Sequence, residues 1–224
     1  VLEGVAQLCD GAHNLLVSVG PFTGFLPREE AALGIAEGTT REIAILSRGG
    51  KPVCFQITAL EESEAALRPR LSRRRAQQAA LDAMLAGLHP GCILPAVVTH
   101  LESFGAFVDI GCGVPSLIGI ENISVSRIPH PDQRFRVGQA IFAVVQELDP
   151  KLGRVYLTHR ELLGTWAENA AGFRAGQAVT GIVRSVQPYG AFIELTPNLS
   201  GLAEPEDGLE PGQLVSVYIR SILP

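Results

Sequence analysis

An all-β chain built from small barrels in tandem is the fold this sequence predicts, on three observations. A short block recurs: Phe104-Gly105-Ala106-Phe107 returns as Tyr189-Gly190-Ala191-Phe192, 85 residues later. Its surroundings recur at the same offset. Val98, Leu101 and Phe104 stand three apart, as do Val183, Val186 and Tyr189, and Val108-Asp109-Ile110 is echoed by Ile193-Glu194-Leu195. Finally, β-branched and aromatic runs of strand length are separated by Gly, Pro and Asp turns. Each copy also sets two aromatics three residues apart around a Gly-Ala pair. Positions i and i+3 of one strand face opposite sides, so the rings share a surface only if the glycine starts or bends a strand. Paired exposed rings on a sheet suit stacking on bases.

The middle copy yields its elements in order. Val97-Val98-Thr99-His100-Leu101 and Phe104 to Ile110 read as strands, broken by Glu102-Ser103 and Gly105. Gly111-Cys112-Gly113 is a turn, and Val114 to Ile120 a third strand. Glu121 to Arg136 holds Pro129, Pro131 and several polar residues, which predicts a long loop with a short helical turn. Gly138 opens a fourth strand through Ile141 to Val145, and Gly153 to Thr158 supplies the fifth after the Asp149-Pro150 turn. Five short strands with one long connection between the third and fourth describe a closed barrel of the OB type, which binds oligonucleotides on its second and third strands.

Residues 91–160 closely resemble the S1 RNA-binding domain, the module repeated in the largest protein of the bacterial small ribosomal subunit. The matching elements are Val97-Val98, Leu101, Phe104-Gly105-Ala106-Phe107-Val108-Asp109-Ile110, Gly138, Asp149 and Arg154-Val155-x-Leu157-Thr158. The resemblance implies nucleic-acid contacts at Phe104, Phe107, Asp149 and Arg154. A family histidine in the third strand falls on Gly119. Residues 174–224 resemble a second S1 domain through Gly181, Val183, Val186, Tyr189-Gly190-Ala191-Phe192 and Gly201-Leu202, so Tyr189 and Phe192 join the candidate contacts. There the histidine position is Glu204, and the closing Asp-to-Arg hairpin is missing before Pro224. Residues 1–72 are a more distant relative. Gly24-Phe25-Leu26-Pro27 resembles the third strand and Pro69 to Arg74 the closing one, without the Phe-Gly-x-Phe element. Ala59 to Leu67, with Glu61, Glu62 and Glu64, is expected to form an extended loop.

Two helical linkers join the units. Residues 73–90 carry the first, with Ser72 as cap, Ala76, Ala79, Ala80, Ala83, Met84 and Leu88 as an apolar side, and Gly87 and Pro90 as stops. Arg68, Arg70, Arg73, Arg74 and Arg75 at its start are either paired with the preceding glutamates or a phosphate clamp. Residues 161–173, with Leu162, Leu163, Trp166 and Phe173, form the second, whose apolar stripe is expected to pack against a barrel. The predicted architecture is therefore all-β: tandem five-stranded OB-fold barrels of S1 type joined by short helical linkers, the last incomplete.

Composition bounds the function. A chain of 224 residues suits three units of about 70–85 residues. No apolar run approaches the ~20 residues of a membrane span, and the start at Val1 lacks a basic-then-apolar signal pattern, so a cytoplasmic location with no membrane partner is expected. Cys9, Cys54, Cys92 and Cys112 are far apart, without Cys-x-x-Cys or histidines at zinc spacing. Reduced, buried thiols and no metal or other cofactor are expected. Carboxylates show no paired spacing, and Ser, His and Asp assemble no triad, so nothing argues for an enzyme. Net charge is −5, and each of the three segments carries more Asp and Glu than Lys and Arg. Phosphate neutralisation therefore contributes modestly, and stacking has to carry binding. The function expected is single-stranded RNA binding (mRNA or rRNA) through aromatic stacking, in bacterial translation or mRNA handling at the ribosome. The alternative is an adaptor tethering a protein partner to the ribosome or to an RNA-processing enzyme.

Overall fold

The structure, a computed structural model, describes residues 1–8, 10–62 and 67–223. Cys9 and Glu64 lie outside the described residues. Contacts divide the chain into two units, Val1–Leu88 with Asp109–Pro115, and His89–Val108 with Ser116–Pro224.

In the first unit, β1 (Leu2–Leu8), β2 (Leu15–Val19), β3 (Phe22–Leu26), β4 (Pro52–Glu62) and β5 (Leu67–Ser72) close into a barrel in the order β1-β2-β3-β5-β4, with α1 (Ile43–Leu46) in the β3–β4 connection. Leu15, Val17, Leu26, Ile45, Phe55 and Leu71 fill it and are fully buried. Alternation does the sorting, since residues i and i+2 of a strand share a face. The stretch from Ala59 was expected as a loop, and instead β4 continues to Glu62, which pairs with Leu67. Charge compensates for the weak strand preference of glutamate: Glu61 lies opposite Arg68 in the ladder and receives Arg70 Nη1 at 3.3 Å.

Helix α2 (Arg73–Gly87) groups with this unit. Ser72 Oγ accepts from Arg75 N at 2.9 Å, satisfying one of the free N–H groups of the first turn. Ala76 and Leu81 bury the apolar side. Gln77 takes Leu33 N at 2.8 Å on its oxygen and donates its amide to Gly113 O. The thiols depart from expectation. Cys54, Cys92 and Cys112 are free but only half-buried, because Cys54 falls between the buried Val53 and Phe55 on an outward position and Cys112 sits in a turn. Partial burial and the neighbouring Cys112 thiol push Cys54 up to about 11.

The second unit holds two sheets. Strands β6 (Ile93–Glu102), β7 (Gly105–Asp109), β8 (Pro115–Gly119), β9 (Ala140–Asp149) and β10 (Arg154–Thr158) close a barrel in the order β10-β8-β7-β6-β9. Its closing strand runs antiparallel to β9 and parallel to β8. The long β8–β9 connection contains two single 3-10 turns, Ile120–Asn122 and Pro131–Gln133. After α3 (Trp166–Ala170), capped reciprocally by Thr165 and Glu168, come β11 (Ala178–Gln187), β12 (Gly190–Thr196), β13 (Leu199–Ala203) and β14 (Leu214–Tyr218). β6 and β11 are both ten residues long and 85 apart, so the repeat in sequence is a repeat in structure. This last sheet has four strands, ordered β13-β12-β11-β14, and no counterpart of β10 among the described residues. The open side leaves a groove of about 1210 Å³ bordered by Trp166, Phe173, Leu202, Ile219 and Leu223.

A polar clamp ties the two sheets together. The Glu194 carboxylate on β12 is 6% exposed and takes Arg184 Nε at 2.8 Å and Nη2 at 3.0 Å. Arg134, from the β8–β9 connection, reaches the same carboxylate at 2.5 Å. Ser124 Oγ donates to Pro197 O, and Ser126 and Ser200 hydroxyls meet at 2.7 Å. Burial would push the Glu194 carboxyl up, but hydrogen bonds and charge from Arg184 and Arg134 outweigh it and hold it below the usual range. Its contribution is therefore complete above the unfolded value of about 4.3 and is lost as pH falls through the lower folded value. Glu194→Gln should destabilise this unit by about 3 kcal/mol, since it strands two arginines. In thermal melts at pH 7 and pH 3, the drop in Tm on acidification should be smaller in Glu194→Gln than in the native chain.

Candidate nucleic-acid interface

The aromatic block is shaped by one steric requirement. Gly105 opens β7 directly under the neighbouring strand: a Cβ there would overlap the carbonyl oxygen of Ile118 and lie 3.2 Å from Gly119 Cα. Gly190 opens β12 against the carbonyl oxygen of Ala203 in the same way, with φ at +148°. Only a residue without a side chain fits. The chain turns at that glycine, with Phe104 in the turn and Phe107 on the strand, so rings three apart emerge on one side. Ile120 N donates to Phe104 O at 3.0 Å and fixes the turn.

The outcome is the same in both copies. Phe104 and Phe107 meet edge to face, centroids 6.0 Å apart at 87°, and Tyr189 and Phe192 do so at 6.4 Å and 90°. Phe104 is 53% exposed, Tyr189 63% and Phe192 36%, and Phe107 is half-buried. None of the four is core. Sequence reasoning missed two neighbours. His100 tilts at 31° to Phe107 with centroids 6.4 Å apart, its Nε2 held by Glu102 at 2.8 Å. Tyr156, half-buried on β10, sits opposite Leu117 of β8 in the parallel pairing. Its outward place between the buried Val155 and Leu157 was the available signal.

Asp149 and Arg154 stand opposite each other at the mouth of the β9–β10 hairpin. They form no ion pair among the described residues. Asp149 Oδ1 instead accepts Lys151 N at 2.9 Å and Leu152 N at 3.0 Å, an Asx-type turn that shapes the hairpin. Arg154 is exposed and has no carboxylate partner among the described residues. Most of the arginine cluster of the first unit is committed elsewhere, with Arg75 left exposed. Arg70 pairs with Glu61 and Glu29, Arg74 with Glu30 and Glu37, and Arg68 lies over the Phe25 ring at 4.7 Å. Arg73 is buried on Ala31 O, where burial lowers it to about 10. The reading of these residues as paired with nearby glutamates therefore fits better than a phosphate clamp.

The position of the family histidine is acidic in both copies. Over Gly119, the Glu121 carboxylate fills the space a side chain would take. Glu204 is exposed and paired with Arg220. Gly105→Ala should lower stability by several kcal/mol in denaturant melts, because its methyl group meets backbone that cannot move aside. Gly119→Ala meets only the end of a flexible glutamate and should change stability by under about 1 kcal/mol.

Comparison with known proteins bears on these surfaces. A model of the S1 RNA binding domain family matches residues 88–160. Small ribosomal subunit protein bS1 of Staphylococcus aureus (strain COL) is 32% identical over 168 residues, covering 68% of this chain and 43% of that protein. The bS1 protein of Staphylococcus saprophyticus is 30% identical over 153 residues, covering 63% of this chain and 39% of its own length. The chain thus spans less than half the length of the curated relatives it matches. Among solved structures, GSP13 from Bacillus subtilis aligns with a TM-score of 0.33 and 19% identity, covering 39% of this chain and 73% of its own.

Proposed function

We propose that this chain, whose middle barrel is an S1 RNA binding domain and whose sequence is homologous to ribosomal protein bS1, binds single-stranded RNA by stacking bases on its paired rings. The observation that carries this reading is the exposed edge-to-face pair, Phe104 with Phe107, reproduced as Tyr189 with Phe192 on a second sheet of the same unit. Every base has a π-face, so such a platform is tolerant of sequence. Arg154, exposed at the β9–β10 hairpin, supplies a cation for a phosphate or base edge. Asp149 acts through the hairpin: by holding Lys151 and Leu152 it sets where Arg154 emerges. By the kinship with bS1, the physiological RNA is mRNA or rRNA and the setting is translation at the ribosome.

The acidic chain shapes the energetics. With a net charge of −5 and acidic residues in excess, few counterions are released and the dependence on salt is shallow. Fluorescence anisotropy of labelled single-stranded RNA at two salt concentrations tests this. Phe107→Ala should weaken binding by about 1–3 kcal/mol, the worth of one stacked base, with Phe104→Ala close behind. Arg154→Ala should weaken binding and flatten the salt slope further. Native affinity in Phe107→Ala removes stacking as the mechanism, and absence of binding at low salt turns the barrels into docking modules for a protein.

A further inference from the structure

Beside this platform the middle barrel holds a charged group, Glu121, that the stacking reading does not use. Glu121 lies in the 3-10 turn that follows β8, and it folds back so that both carboxylate oxygens stand over Gly119 Cα. Gly119 Cα in turn lies beside Gly105, the residue between the two rings, and the next amide, Ile120 N, is bonded to Phe104 O at 3.0 Å. The carboxylate is therefore at the edge of the Phe104–Phe107 pair. Cations nearby are engaged elsewhere: Arg160 Nη1 reaches the Glu121 backbone carbonyl at 3.4 Å, and its Nε faces Glu161 at 3.8 Å. Glu121 is exposed, and among the described residues no side chain or backbone N–H donates to its carboxylate, which leaves both oxygens open to a ligand. In the second copy the acid at this place, Glu204, is matched by Arg220. The middle barrel thus sets an acid without a cation partner among the described residues beside its ring pair.

An ionised carboxylate only accepts, through two oxygens in one plane. A base stacked on the rings presents its Watson–Crick edge at the rim of the platform. Guanine alone places two donors side by side there, N1–H and N2–H, and a carboxylate takes both in a bidentate, charge-assisted pair. Cytosine offers its N4 amino group next to an acceptor, and adenine its N6 amino group next to an acceptor. Uracil offers one N–H between two carbonyl oxygens. Each of these three sets a lone pair against the second carboxylate oxygen.

We propose that Glu121 is a specificity residue that selects guanine at the base stacked on Phe104 and Phe107. The inference rests on the stacking reading, and the experiment separates the two. Labelled pentamers UUUUU, UUAUU, UUCUU and UUGUU are titrated against the native chain, Glu121→Gln and Phe107→Ala, with circular dichroism to check that each variant is folded. The native chain should bind UUGUU about tenfold more tightly than UUAUU or UUUUU, within the range for a good bidentate base contact. Glu121→Gln should shift two oligomers in opposite directions: UUGUU binds more weakly, because the second acceptor is gone, and UUUUU more tightly, because a charge repelling phosphate is gone. Phe107→Ala should weaken all four. Equal strengthening of all four pentamers in Glu121→Gln means that the carboxylate only repels phosphate, which overturns the proposal and leaves stacking intact. Guanine preference that survives in Glu121→Gln overturns it as well. Loss of all binding by the native chain defeats the stacking reading, and this inference with it.

Discussion

The contact on which the candidate interface depends is a carbonyl oxygen pressed against a glycine. Ile118 O over Gly105 and Ala203 O over Gly190 leave no room for a side chain. With the side chain absent, the strand edge comes in close and the preceding aromatic is thrown into the turn, and the pair meets edge to face with similar geometry in both sheets. Such a contact is worth about 0.5–1.5 kcal/mol beyond area burial, enough to hold the rings in place while Phe104 and Tyr189 remain exposed. The same close approach brings the end of β8 next to the rings, which is why a residue two positions past Gly105's neighbour Gly119, Glu121, borders the platform at all.

Several arginines that could meet phosphate are taken up by neighbouring carboxylates instead. In the first unit Arg70 and Arg74 each serve two glutamates and Arg73 is buried. In the second, Arg134 and Arg184 are spent on Glu194. Part of a basic cluster in sequence is thus a set of ion pairs in space, while Arg75 stays exposed. Exposed pairs of this kind contribute little to stability, yet they remove cations from the surface, and that matters more for function. The proposed binding then leans on apolar and π contacts, which are short-ranged and insensitive to salt, with Arg154 as an exposed cation at the β9–β10 hairpin.

Much of this was legible in the sequence because it is periodic or local. The 85-residue repeat gave matched strands β6 and β11, the glycine between the rings implied a new strand, and Ser72 stood where the cap of α2 is found. Among the described residues the last sheet lacks a fifth strand, and the sequence there lacks the Asp-to-Arg hairpin. What escaped is what depends on residues far apart. Nothing in spacing joins Arg134 to Glu194, 60 positions away. Glu61 and Glu62 look like loop residues until Arg68 and Arg70 are placed across from them. Asp149 and Arg154 carry opposite charges and face each other in the ladder, yet two backbone N–H groups, nearer in sequence, claim the aspartate.

The Glu194 clamp also decides how the two ring pairs act together. Were the sheets joined only by a flexible linker, each platform would capture its own base and the second event would depend on an effective concentration set by linker length. Three charge-assisted hydrogen bonds on one buried carboxylate, backed by Ser124 and Ser126, replace that freedom with a defined arrangement. Ordering that a flexible tandem would have to supply on binding is already present in the free chain, which is how preorganisation raises affinity without adding a contact. On the proposed stacking, an RNA strand that meets both platforms has to follow the spacing the clamp imposes, and a strand whose backbone cannot follow it is held by one platform alone.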